Sequence, residues 1–174
     1  VRAGIRMQKL INDLLTISRI DTQAEPQERT DLNDIIKKVE KQFNTRIQKK
    51  GVIIKHDRLP EIIADKRQIF TLFANLISNA IKYNESENPE LIIRFKNHIQ
   101  KIAIEFIDNG IGVDKKEVKK IFRKFYQAGR FRENDMSGSG LGLYLVSSIA
   151  IIHGWRVSAA SAGKGRGTTF TLTI

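Results

Sequence analysis

Asn75, Asn79, Lys82 and Tyr83 fall in one short segment at successive steps of four, three and one residues. On a helix turning about 100° per residue, these four lie within an arc about 100° wide. The neighbouring arc holds Ile69, Leu72, Phe73, Leu76 and Ala80. One face is therefore apolar, and the face beside it offers two amides, an ammonium and a phenol. An amide oxygen is a hard, neutral ligand suited to Mg2+, which also keeps phosphate oxygens and waters in its shell. A lysine brings a point charge to phosphates, and a tyrosine ring can stack on a base. An ordinary amphipathic helix with a polar rim has the same pattern, so this segment by itself leaves both readings open.

Two glycine-bearing segments follow. Asp108 closes an apolar run and precedes Asn109, Gly110, Ile111 and Gly112. A carboxylate at a strand end can accept a hydrogen bond from the exocyclic amine of adenine. Guanine has a carbonyl there, so such a site favours ATP over GTP. Glycines let the backbone turn and approach a ring closely, although a plain Asp-Asn-Gly turn has the same sequence. Gly138, Ser139, Gly140, Leu141 and Gly142 then lead into an apolar helix, whose first amides and dipole favour phosphate. This segment lacks the surrounding βαβ unit of a dinucleotide-binding fingerprint and the Gly-Lys-Ser/Thr of a Walker loop.

In this order, the three segments resemble the ATP-binding catalytic domain of bacterial sensor histidine kinases. That family shares its fold with the ATPase domains of type II topoisomerases, mismatch-repair ATPases and a class of heat-shock chaperones. Asn79 to Asp108, Asp108 to Gly138 and Gly138 to Thr168 are separated by 29, 30 and 30 residues. Two supporting segments complete the pattern: Phe122-Arg123-Lys124-Phe125-Tyr126 and Gly165-Arg166-Gly167-Thr168-Thr169-Phe170. The resemblance implies ATP and Mg2+ as cofactors. It implies that Asn79 ligates Mg2+, with Asn75 beside it, that Lys82 contacts phosphate, and that Tyr83 packs near adenine. Asp108 would read the base with help from Thr168, on a loop turned by Gly110 and Gly112. Gly138, Ser139, Gly140, Leu141 and Gly142 would close a lid over the triphosphate; Gln127 to Ser137 is polar, carries Gly129 and has no apolar period, and so reads as a mobile loop. Many relatives carry Arg or Lys where this chain has Gln127, so Arg130 or Arg132 would take that place.

The family donates the γ-phosphoryl group of ATP to a histidine on an upstream helix. His56, His98 and His153 lack that setting, so the acceptor and its neighbouring acid are expected before Val1, and this chain alone is expected not to autophosphorylate. Met7 to Leu15 resembles the end of the second dimerisation helix. The implied partners are ATP, the protein's own dimerisation and phosphotransfer domain, and a response regulator. The full-length protein would be a homodimer and this chain a monomer. The location would be cytoplasmic, whether or not the full-length protein is anchored in the inner membrane. An ATPase of the same superfamily and an ATP-binding module without transfer are the alternatives.

The elements that must hold these residues follow from periodicity. Met7, Leu10, Ile11, Leu14 and Ile17 form a coiled-coil-like seam ending near Asp21. Pro26 marks a linker, so residues 1–24 are read as one piece and 25–174 as the ATP-binding domain. Asp31 is placed to cap a helix whose stripe is Leu32, Ile35, Ile36, Val39, Phe43 and Ile47, with Gly51 as terminator. Val52 to His56 reads as a strand, and Asp65 as the cap of the helix that carries Asn75 to Tyr83. Leu91, Ile93, Phe95 and Ile102, Ile104, Phe106 alternate across a polar turn at Asn97 to Gln100, the pattern of an antiparallel hairpin. A short helix is expected over Lys115 to Phe125, a further helix over Leu141 to His153, and strands near Arg156 to Ala160 and Thr168 to Ile174. This succession suggests an α+β, two-layer sandwich with helices on one face of a mixed, largely antiparallel sheet; the family fold is of the Bergerat type.

Composition bounds the rest. The chain has 174 residues, 41% of them apolar, enough for one domain with a real core. It has no cysteine, which excludes disulfides and cysteine-ligated metals. The net charge is +11, but the basic residues are dispersed among acids as on a solvated surface, and no nucleic-acid partner is expected. The apolar run from Leu141 to Ile152 is too short to span a membrane.

Overall fold

The computed structural model describes residues 2–22, 25–99, 101–128 and 138–174. The expected candidate Arg130, its alternative Arg132 and most of the expected mobile loop lie outside these residues. In chain order the elements are α1 (Arg2–Thr22), β1 (Glu28–Asp31), α2 (Leu32–Lys50), β2 (Ile53–His56), β3 (Glu61–Ala64), α3 (Lys66–Lys82), β4 (Glu90–His98), β5 (Lys101–Asp108), α4 (Gly142–Ile152), β6 (Arg156–Ala160) and β7 (Thr168–Thr173). The main sheet has five strands in the order β2-β4-β5-β7-β6. Only β2 against β4 is parallel; the other three pairings are antiparallel. The fold is α+β, as the sequence pattern suggests.

Local chemistry sets the helix ends. The Asp31 carboxylate accepts the N–H of Asn33 at 2.8 Å and starts α2, and Gly51, at φ 65, stops it. The Asp65 carboxylate accepts the N–H groups of Arg67 and Gln68 at 2.9 and 3.0 Å and starts α3. Along α3, Ile69, Leu72, Phe73, Leu76 and Ile77 are fully buried. This stripe packs the helix between α2 and α4 and against the sheet, where Phe73 meets Phe106 edge-on at 5.1 Å. The polar arc beside the stripe is thereby aimed along the edge of the core.

The hairpin register does the complementary work. Leu91, Ile93 and Phe95 stand opposite Asp108, Phe106 and Ile104, so one face of both strands is apolar and β5 ends on Asp108. β7 pairs with β5 such that Asp108 faces Thr168. The base-reading candidate is thus held on both sides by strands.

One local expectation differs from the structure, and one element has no counterpart in the sequence reading. Residues 115–125 form successive turns, not a regular helix: Glu117 and Val118 both donate to the Asp114 carbonyl, Lys120 and Ile121 to that of Glu117, and Arg123 to that of Lys120. Lys115 and Lys119, and Lys116 and Lys120, would be like charges four apart on a helix, which opposes it. Only Ile121 of this stretch is deeply buried to offset that. The sequence pattern does not mark the β1–β3 ribbon; each strand has four residues, too few to display a period of two.

Candidate functional site

A cavity opens where α3, the loop after β5, the start of α4 and the head of β7 converge. From α3 it is lined by Asn75, Ser78, Asn79, Lys82 and Tyr83. The loop after β5 contributes Asp108, Ile111, Gly112 and Val113, and the segment before α4 contributes Gly138, Ser139 and Gly140. Gly142, Leu143, Thr168 and Phe170 also reach it, with Ile121, Tyr126, Gln127 and Ala128 on the remaining side. Segments that are remote in sequence therefore meet in one concave site with both apolar walls and polar groups.

Asp108 is the best-defined polar group there. Its Oδ1 accepts the N–H of Gly110 at 2.9 Å and of Thr168 at 3.2 Å. Burial pushes its carboxyl above the ordinary value of 3.8, and these two N–H groups pull it partly back. Both backbone donors go to one oxygen, which leaves Oδ2 without a hydrogen-bond partner among the described residues. Thr168 thus supports Asp108 through its main chain. Gly110 does not line the cavity. It lets the loop lie on the end of α3: an added Cβ would stand 2.5 Å from the Tyr83 carbonyl, which accepts the Ile111 N–H at 3.0 Å. Gly112, at φ 67, is equally constrained, since a Cβ there would stand 2.1 Å from the Gly163 carbonyl oxygen.

Across the cavity, Lys82 Nζ is 2.6 Å from the Tyr83 hydroxyl and 4.2 Å from the centre of the Tyr83 ring. Gly138 lies against both, for a Cβ on it would be 3.0 Å from Lys82 Nζ and 3.2 Å from the Tyr83 hydroxyl. The cation and the glycine segment are adjacent, the arrangement an anionic group needs. Asn75 donates its amide to the Thr71 carbonyl at 2.8 Å. Its Oδ1 faces Gly142, where a Cβ would come within 2.7 Å. Asn75 therefore serves the close approach of α3 and α4 as well as lining the cavity.

Leu141 is not a lining residue; its side chain is buried in the core, while its N–H is accepted by Ser139 Oγ at 3.2 Å. Gln127, where the resemblance would favour a cation, donates its amide to the Gly138 carbonyl at 2.7 Å. Among the described residues no cluster of three or more His, Cys, Asp or Glu side chains could hold a metal ion.

Sequence reasoning missed several lining residues. Ile111, Val113, Ile121, Leu143 and Phe170 form apolar walls; Ile111 and Phe170 stand inside the quoted motifs without an assigned role, and no polar motif marks the other three. Asp13 of α1 also lines the cavity and accepts the Ser139 hydroxyl. In sequence it is simply a polar position beside the seam of α1, and nothing marks it as a partner of residue 139.

The fold is that of the α+β ATPase class. The chain belongs to the histidine kinase-, DNA gyrase B- and HSP90-like ATPase family, whose match covers residues 64–174. It is 34% identical over 168 residues to cyanobacterial phytochrome A of a Nostoc species, covering 97% of this chain and 22% of that protein. It is 32% identical over 175 residues to the sensor protein kinase WalK of Staphylococcus haemolyticus, covering 97% of this chain and 28% of that protein. The chain thus spans less than a third of the length of these curated relatives. Among solved structures, full-length ShkA in complex with AMPPNP superposes with a TM-score of 0.80 at 24% identity, over 99% of this chain and 36% of that one. The catalytic domain of histidine kinase ThkA superposes with a TM-score of 0.71 at 22% identity, over 86% of this chain and 95% of that one. These two likenesses establish the fold. Among the described residues, no helix is long and apolar enough to cross a membrane.

Proposed function

We propose that the cavity binds Mg2+-ATP and that this chain donates the γ-phosphoryl group to a histidine of a dimerisation domain in two-component signalling. The observation that carries this reading is the meeting of Asp108, Asn79, Lys82 and the Gly138–Gly142 segment in one cavity. Residues 1–24 are the end of the dimerisation helix and its linker, and residues 25–174 are the ATP-binding domain. A neutral amide beside a lysine, with no cluster of three acidic ligands among the described residues, suits a cation carried in largely by phosphates and water, not one held in an all-protein cage. Such an ion neutralises the charge that gathers on the phosphates.

The protein's part is positioning. The Asp108 Oδ2 accepts the adenine amine while Ile111, Val113 and Phe170 flank the ring. Asn79 supplies an oxygen to the ion. Lys82 and the amides of the Gly138–Gly142 segment hold the phosphates, and Arg130 or Arg132 supplies further positive charge. A histidine nitrogen then attacks the γ-phosphorus, the bond to the β–γ bridging oxygen breaks, and ADP leaves. His56 and His153 do not line the cavity, in keeping with an acceptor supplied from another domain. The phosphoryl group passes from there to a response regulator. The expected setting is a cytoplasmic domain of a homodimer.

The test is phosphotransfer to a histidine-bearing dimerisation domain supplied covalently or in trans. Acid-labile, base-stable label on that domain is the expected result. ATP binding without any such label, on a domain that a related kinase phosphorylates, would overturn the transfer reading.

A further inference from the structure

We propose that Ser161, which does not line the cavity, is the positioning residue that aims Asp108 at the base; this rests on the nucleotide reading above. Ser161 Oγ accepts the N–H of Val113 at 3.0 Å and of Gly163 at 3.2 Å. It stands 2.7 Å from the Gly167 carbonyl oxygen and 3.3 Å from that of Gly163. A hydroxyl has one proton and two lone pairs. The two N–H groups use the lone pairs, and the proton goes to the nearer carbonyl, that of Gly167.

That carbonyl and the Thr168 N–H belong to the same planar peptide. Fixing the carbonyl therefore fixes the direction of the N–H, which donates to Asp108 Oδ1 at 3.2 Å. The hydroxyl thus acts, beside the β5–β7 pairing, on the peptide that orients the carboxylate. Through Val113 it also holds the far end of the loop that begins at Asp108. The two loops are pressed together without intervening side chains. Gly165 N–H donates to the Ile111 carbonyl at 2.6 Å and Gly167 N–H to that of Gly110 at 3.1 Å. Gly167 sits at φ 66, and a Cβ on it would be 2.0 Å from the Asp108 carbonyl oxygen. With Oδ1 committed to Gly110 and Thr168, the aim of Oδ2 depends on the Thr168 N–H staying where Ser161 puts it.

A Ser161 that merely closed its own turn would affect stability and all ligands alike. A positioning Ser161 affects base recognition alone. Calorimetry on wild type, S161A, S161C and S161T, each with Mg2+-ATP, Mg2+-GTP and tripolyphosphate, separates the two. S161C keeps the unbranched side chain but puts a larger sulfur and only a weak S–H donor in place of the hydroxyl, and S161T keeps the hydroxyl. The expected result is an ATP affinity about tenfold lower in S161A and S161C, with GTP and tripolyphosphate unchanged and wild-type behaviour in S161T. Exchange of the Val113 and Thr168 amides should quicken in S161A and S161C and return to wild-type rates in S161T. If ATP and tripolyphosphate weaken together, or the preference for ATP persists while those amides exchange faster, the proposal is wrong. Wild-type protein that binds ATP and GTP equally would instead sink the assignment of Asp108 itself, and the proposal with it.

Discussion

Replacing Asp108 by Asn separates recognition from stability, because the two should move in opposite directions. The asparagine carbonyl can still accept the Gly110 and Thr168 N–H groups that now reach Oδ1 at 2.9 and 3.2 Å, so the loop keeps its anchor. The amide NH2 then takes the place of Oδ2 and meets the adenine amine donor to donor. Losing a hydrogen bond to a charged group costs about 1.5–3 kcal/mol, which is about 10- to 100-fold in ATP affinity. The guanine carbonyl could accept from the new amide, so the preference for ATP over GTP should shrink by more than ATP binding alone falls. Stability should not fall, because the substitution removes a buried charge whose desolvation raises its pKa. The pH dependence carries the same sign. With the folded value above 3.8, native protein binds more protons than unfolded protein in the window that starts near 3.8 and runs up to the raised value. The contribution of Asp108 to stability therefore falls as pH rises through that window, and this contribution is absent from D108N, so the stability difference between D108N and wild type should grow in favour of D108N across it. Calorimetric titrations give the affinities, and thermal melts across acidic to neutral pH give the stabilities. Unchanged ATP affinity in D108N, or a melting temperature that drops along with the affinity, would refute this account of Asp108.

Asn79→Ala should lower affinity for ATP about tenfold in Mg2+ and change it little in EDTA, with an unaltered circular dichroism spectrum, since Asn79 lies on the cavity face of α3. Gly167→Ala should destabilise the fold by well over the roughly 1–2 kcal/mol that a left-handed non-glycine residue costs, because its Cβ would also stand 2.0 Å from the Asp108 carbonyl oxygen. Gly154→Ala has a similar φ of 73 but no atom within 4 Å of the added Cβ, so urea denaturation should show only the roughly 1–2 kcal/mol backbone cost. Asp65→Ala should cost about 0.5–2 kcal/mol by removing the cap of α3, measured in the same way.

What was legible in the sequence were the residues whose chemistry is tied to position along one element. Asn79, Lys82 and Tyr83 share an arc of α3, and the caps Asp31 and Asp65 stand where side-chain oxygens meet free N–H groups. The hairpin followed from alternation, and its register delivered Asp108 to the strand end. What stayed hidden were contacts made by tertiary packing. Asp13 meets Ser139 only because α1 lies against α4. Gln127 bonds the Gly138 carbonyl, which no local pattern specifies. Leu141 sits within a glycine motif yet points into the core, since a motif records the chain order and not the side-chain direction. Ser161 has no motif at all; its place is set by the approach of two loops.

Amide-resolved titration of the chain with ATP decides whether this cavity is an ATP site. An ATP site gives saturable shifts at Asn79, Lys82, Asp108, Gly110, Thr168 and the Gly138–Gly142 segment, with binding tighter with Mg2+ than without it and weaker for GTP. Absence of binding at millimolar ATP, or shifts confined to the basic surface around Lys115–Lys120, would contradict it.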